Sequence, residues 1–185
     1  MNTAEHIVTS ALKLFYRDGF HASGVDLLAE KAGVTKKTLY RHYPSKDALI
    51  EAALALRHQQ FMSRLRGFVE QAAVELRPLA YIDFLAGWTQ EGSFRGCAFI
   101  NATAEYGQRD APPHRQAAAH KQEIRDYVLG LCTAGGAKEP TSVATRLYLV
   151  GEGLIVTRQV QGLDDVLTEA ARQVARTLWS AARDD

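Results

Sequence analysis

Apolar residues recur along the chain at three- and four-residue spacing almost throughout, while the strict alternation of a half-buried strand is scarce. The pattern predicts an all-α protein. Ile7, Ala11, Leu14 and Phe15 form one stripe of a first helix over residues 3–18, stopped at Asp18-Gly19, where glycine tolerates positive φ. A second helix is expected from about Val25 to Ala32, with Leu28 and Ala29 facing inward, Ser23 available to cap it and Gly33 ending it. Thr35 offers a side-chain oxygen to the free amides of a short third helix at about 36–43, which Pro44 closes. Ser45 caps a fourth helix that runs through Leu49, Ala53 and Leu56 toward about Arg66. Beyond it, Pro78, Gly92, Gly96, Pro112-Pro113, Gly135-Gly136 and Gly162 punctuate the pattern into helices near 67–76, 79–91, 97–107, 113–133, 141–160 and 164–182.

A chain of 185 residues, 46% hydrophobic and 23% charged, is long enough for a real core and for division into a small domain and a larger one. The formal net charge of +1 neither demands nor excludes a polyanionic partner, so charge has to be read segment by segment. Cys97 and Cys132 lack the spacing of a zinc knuckle or a redox C-x-x-C pair, so no disulfide framework is expected and a reducing compartment fits. The start of the chain shows no basic stretch followed by an apolar run, and no apolar stretch reaches membrane-spanning length. The expectation is a cytoplasmic protein without a membrane partner. There is no G-x-S-x-G elbow, Walker loop, G-x-G-x-x-G fingerprint or H-E-x-x-H pair, and His114 and His120, six residues apart among polar neighbours, read as surface histidines. No catalytic residue, metal site or cofactor is therefore expected, and a small helical enzyme is the rival reading.

The informative segment lies at residues 25–43. Two short helices joined by a tight turn at Gly33-Val34-Thr35 have the form that pushes a recognition helix into the major groove of DNA. Thr35, Lys36, Lys37, Thr38, Tyr40, Arg41, His42 and Lys46 crowd that turn, the short helix and its exit, and Leu39 alone is apolar enough to anchor the helix. Lysines there reach phosphates or a guanine edge, hydroxyls hold phosphate oxygens, and a tyrosine ring lies on a thymine methyl or donates to phosphate. A solvated basic helix is the bland alternative.

The run Gly19-Phe20, then Leu28-Ala29-Glu30-Lys31-Ala32-Gly33-Val34-Thr35-Lys36-Lys37-Thr38-Leu39-Tyr40-Arg41-His42-Tyr43-Pro44-Ser45-Lys46-Asp47-Ala48-Leu49 resembles the N-terminal domain of the TetR family of repressors over about residues 3–50. The resemblance implies a helix-turn-helix DNA-binding domain at 1–50 and a helical effector-binding and dimerisation domain at 51–185. It further implies a homodimer whose two recognition helices read a palindromic double-stranded operator, and release by a small-molecule effector. An activator on the same fold is the alternative regulatory sense. By position, Lys36, Lys37 and Tyr40 resemble the base-edge readers, and Thr35, Thr38, His42 and Lys46 the phosphate clamps, with Arg41 beside them. Two residues depart from the pattern: Gly24 stands where many relatives have a hydroxyl, and Asp26 where the residue is often basic or neutral. Asp26 has the chemistry to accept from a cytosine amine, but reads first as a solvent-facing acid.

In the remainder, aromatic density rises between Tyr81 and Tyr106. Tyr81, Phe84, Trp88, Phe99 and Tyr106, with Cys97 and Asn101, are the candidates for an effector cavity, or else plain core. Glu105 is a further polar group of that stretch. The segment from Phe94 to Glu105 also resembles a Gly-Cys followed by Asn and Ala-Glu in a subset of the family, some of whose members respond to electrophiles or oxidants. Arg95 and a helix start beside Cys97 favour its thiolate, which makes redox or electrophile sensing an alternative for this protein. Two long closing helices carry apolar faces, and Leu147, Val150, Gly151, Leu154, Val174 and Leu178 are the candidates for an interface with a second copy, against a role in their own core.

Overall fold

The computed structural model describes residues 2–183, and among them the fold is all-α, as the periodicity predicts. The helices are α1 (Thr3–Asp18), α2 (Val25–Lys31), α3 (Lys36–His42), α4 (Lys46–Val69), α5 (Arg77–Thr89), α6 (Ala98–Glu105), α7 (Pro112–Ala134), α8 (Pro140–Gln161) and α9 (Asp165–Ala181), with a 3-10 turn at Val74–Leu76. Among these residues two compact units emerge: one takes 2–61 together with Ala98–His120, the other Met62–Cys97 together with 121–183.

Local chemistry sets the first unit's boundaries. Asn2 and Glu5 cap α1 reciprocally, each side chain accepting from the other's backbone N–H at 2.9 Å. Helix α1 buries Ile7, Val8, Ala11, Leu12, Leu14 and Phe15, and ends where Gly19 takes a φ of 94°. The Ser45 hydroxyl accepts from the Ala48 N–H at 3.0 Å and starts α4. Ser23 departs from expectation. It is buried and donates to the Gly19 carbonyl at 2.7 Å, so the hydroxyl is already engaged in the preceding turn, and Gly24 caps α2 without a side-chain bond.

In the second unit, α5 packs on α8 and α9, which also pack on each other. A Cβ on Gly151 would lie 2.6 Å from Leu85 Cδ1 and 2.7 Å from Tyr81 Oη, so only glycine lets α8 approach α5 this closely. The Trp179 indole donates to the Glu75 carbonyl at 2.9 Å. The separate helix expected near 67–76 does not form. Gly67 is carried inside α4, which continues to Val69, and the Arg77 guanidinium then donates to the carbonyls of Glu70 and Ala72 at that helix's end. Glycine weakens a helix by only about 1 kcal/mol relative to alanine, too little to stop one with buried residues on both sides.

Candidate nucleic-acid interface

Helix α2 ends in a turn in which Gly33 takes a φ of 59°, a left-handed conformation that favours glycine. Within that turn the Gly33 N–H donates to Glu30 and the Val34 N–H to Ala29, and Thr35 opens α3 by accepting from the Thr38 N–H at 3.1 Å. Leu39 is 0% exposed and anchors α3 from beneath. At about 100° per residue, Lys36, Tyr40, Lys37 and Arg41 occupy one arc of about 140° on the other side of the helix. All four are exposed, Tyr40 to 44%, as are Thr35 and His42, while Thr38 and Lys46 are half-buried. From Lys31 to Lys46 the chain carries five cations and no acid, a local excess that the net charge of +1 conceals.

Two of these cations have partners. The Lys36 ammonium lies 2.5 Å from a carboxylate oxygen of Asp26, and that hydrogen bond, with the carboxylate's charge, holds its pKa above the ordinary lysine value. Lys46 donates to the His21 carbonyl at 3.1 Å, which leaves two of its three protons for other acceptors.

What holds the loop between α1 and α2 is Glu105, at the end of α6. Its two carboxylate oxygens accept from the Phe20 N–H at 2.9 Å and the His21 N–H at 2.6 Å, and its carboxylate lies 3.1 Å from the His21 ring nitrogen Nδ1. Tyr106 stacks on His21 with ring centroids 4.8 Å apart, and the Tyr43 hydroxyl donates to the Ala4 carbonyl at 3.1 Å. Sequence reasoning placed Glu105 among polar residues of a cavity; no local signal marks a clamp whose partners lie 84 and 85 positions away.

The seven effector candidates fall in both units. Tyr81, Phe84 and Trp88 are buried on α5, and burial, reinforced by Glu152 and Tyr148, raises the Tyr81 hydroxyl well above its usual pKa. Phe99, Asn101 and Tyr106 belong to α6 and its end. Phe99 stacks on His120 at 3.7 Å between centroids, and His120 Nδ1 lies 2.9 Å from His58 Nδ1. This corrects the surface reading of two histidines. His120 is 3% exposed because Ala117, His120, Ile124, Val128 and Leu131 form the inward stripe of α7, and His114 is half-buried with Nδ1 3.0 Å from the Tyr106 carbonyl. Cys97 is 4% exposed. Arg95 donates to the Phe94 and Gly92 carbonyls, and the Lys121 ammonium binds both Glu152 oxygens at 2.6 and 2.7 Å. Burial pushes the Cys132 thiol up to about 12.

Of the interface candidates, Leu147, Gly151 and Leu154 lie within their own unit's core, contrary to the expectation of contact with a second copy, because α5 covers that side of α8. Val150 and Leu178 are half-buried, and Val174 is exposed. The large apolar side chains that α8 and α9 leave exposed are Leu149, Val156, Val160, Val166, Leu167 and Val174, with Leu163 exposed between the two helices.

A helix-turn-helix that presents an exposed cationic arc defines a DNA-binding regulator of transcription. The family model for bacterial regulatory proteins of the tetR family matches residues 7–53. The chain is similar to TetR-family transcriptional regulators and carries their DNA-binding domain over the matched residues. It is 26% identical to the HTH-type transcriptional regulator YjdC of Escherichia coli over 181 residues, 97% of this chain and 94% of YjdC. With the HTH-type transcriptional regulator RutR of Escherichia coli it shares 38% identity over 76 residues, 41% of this chain and 34% of RutR. The crystal structure of SCO4454, a TetR-family transcriptional regulator from Streptomyces coelicolor, superimposes with a TM-score of 0.91 at 26% identity, covering 99% of this chain and 91% of that one. No helix among the described residues is long and apolar enough to cross a membrane.

Proposed function

We propose that this chain is a repressor that binds a palindromic operator as a homodimer in the cytoplasm, where the DNA is, and leaves it when a small-molecule effector binds. The observation that carries the reading is the arc of Lys36, Lys37, Tyr40 and Arg41 on a short helix whose opposite side is anchored by fully buried Leu39. In this reading the segment through residue 50 binds DNA and residues 51–185 bind the effector and the second copy. Lys36, Lys37 and Tyr40 meet base edges, Thr35, Thr38, His42 and Lys46 hold phosphates, and Arg41 serves at the edge of the same surface.

Support for the dimer comes from Leu149, Gly153, Val156 and Val160, exposed at alternating four- and three-residue spacing along α8, and from Val166, Ala170 and Val174, exposed on α9. Such paired stripes fit a four-helix interface, with Gly153 allowing close approach. Two copies related by a two-fold axis place two recognition helices on two half-sites. Support for an effector comes from Lys121 and Glu152, a charge pair with only 19% and 20% of each side chain exposed. Such a pair contributes little to net stability, and it gives a polar ligand something to bind.

The test is capture of genomic DNA bound to the protein, followed by transcript measurement in a strain lacking it. A rise in transcripts beside the captured sites is expected. A fall would identify an activator, and absence of captured sites would contradict the proposal altogether.

A further inference from the structure

Asp26 lies in the first turn of α2, is 82% exposed, and places a carboxylate oxygen 2.5 Å from the Lys36 ammonium at the start of α3. An ion pair so open to water contributes little to folding, so the acid is not there to hold α2 against α3. Nor does an acid beside a cationic arc favour approach to a polyanion, since it cancels one of the charges that phosphates attract. A carboxylate at this surface becomes favourable in one setting, where it meets a hydrogen-bond donor. In the major groove the base edges offer two donors, the cytosine N4 amine and the adenine N6 amine.

We propose that Asp26 and Lys36 read one base pair together, a G·C pair in each half-site, with Asp26 as the specificity-determining residue. The Lys36 ammonium donates to guanine N7 and O6, and the Asp26 carboxylate accepts from cytosine N4. The pairing of donor with acceptor in the protein has its counterpart in the base pair, where guanine O6 and cytosine N4 are hydrogen-bonded at about 2.9 Å. Each member of the protein pair thus keeps its partner while gaining a second one. An A·T pair fits less well, because its amine is flanked by single acceptors and the thymine methyl crowds the ammonium. The inference rests on the reading of α3 as the helix that meets base edges.

The experiment is selection from a pool of randomised DNA duplexes by the full-length chain, as wild type, Asp26→Ala, Asp26→Asn and Lys37→Ala, with helicity checked by circular dichroism. The wild type is expected to enrich a G·C pair at one position of each half-site. Asp26→Ala should relax that position by about ten-fold, leave the others intact and tighten binding to random duplex; Asp26→Asn should shift the same position toward adenine. Unchanged preference in both Asp26 variants, or an A·T pair selected there by the wild type, would overturn the proposal while the reading of α3 stands. Wild-type selection of no sequence, or full affinity in Lys37→Ala, would overturn the reading of α3 and this inference with it.

Discussion

Glu105 determines where the loop before α2 is held. Its carboxylate accepts two backbone N–H groups and faces the His21 ring, a set of bonds that an amide of the same shape satisfies only in part. Glu105→Gln keeps one acceptor and turns a donor toward a second N–H. The expected loss is about 1–2 kcal/mol, read as a lower urea midpoint at unchanged slope. An unchanged midpoint would show that the clamp contributes nothing. At this scale the sequence is legible where the chemistry is local: Gly19, Gly33, Thr35, Leu39 and Ser45 all serve as their neighbours predict. Ser23 turns back to the nearby Gly19 carbonyl instead of forward to α2; Glu105, His120 and the Asp26–Lys36 pair have partners that only the folded chain supplies, although the spacing of His120 with Ala117, Ile124 and Val128 was a signal for its burial.

Helix α8 shows the same contrast at the scale of the element. Val143, Leu147, Gly151, Leu154 and Ile155 form one apolar face, and Leu149, Gly153, Val156 and Val160 another. Both keep helical spacing, so periodicity alone does not say which turns inward. The structure assigns the first to the core, where α5 meets Gly151, and leaves the second exposed. Acidic residues on the exposed face should therefore separate two copies without unfolding either. The double variant Leu149→Glu/Val156→Glu is expected to sediment as a helical monomer where the wild type sediments as a dimer; equal masses for the two proteins would reject this face. Helix ends were legible wherever a capping side chain, proline or positive-φ glycine marked them. The end of α4 was not, because no such residue marks it and Arg77 holds the turn that follows, at the Glu70 and Ala72 carbonyls.

Across the whole molecule, a net charge of +1 hides a segment of five cations without an acid, and that segment lies on exposed helix and turn. Overall electrostatics are thus a poor guide to the partner, and local arrangement is the useful one. The fold class and the DNA-binding element could be read from sequence because both depend on short-range patterns, whereas the seven effector candidates of one aromatic-rich stretch divide between two compact units, a partition that short-range patterns do not carry. The central claim is that α3 reads duplex DNA. Its most direct measurement is fluorescence anisotropy of a labelled duplex from a captured site, titrated with wild type and Lys37→Ala over a range of salt concentrations. The wild type should prefer that duplex to random sequence and weaken steeply as salt rises, with Lys37→Ala weaker by about ten-fold and shallower in its salt dependence. Equal binding to both duplexes, or a Lys37→Ala curve superimposed on the wild type, would contradict it.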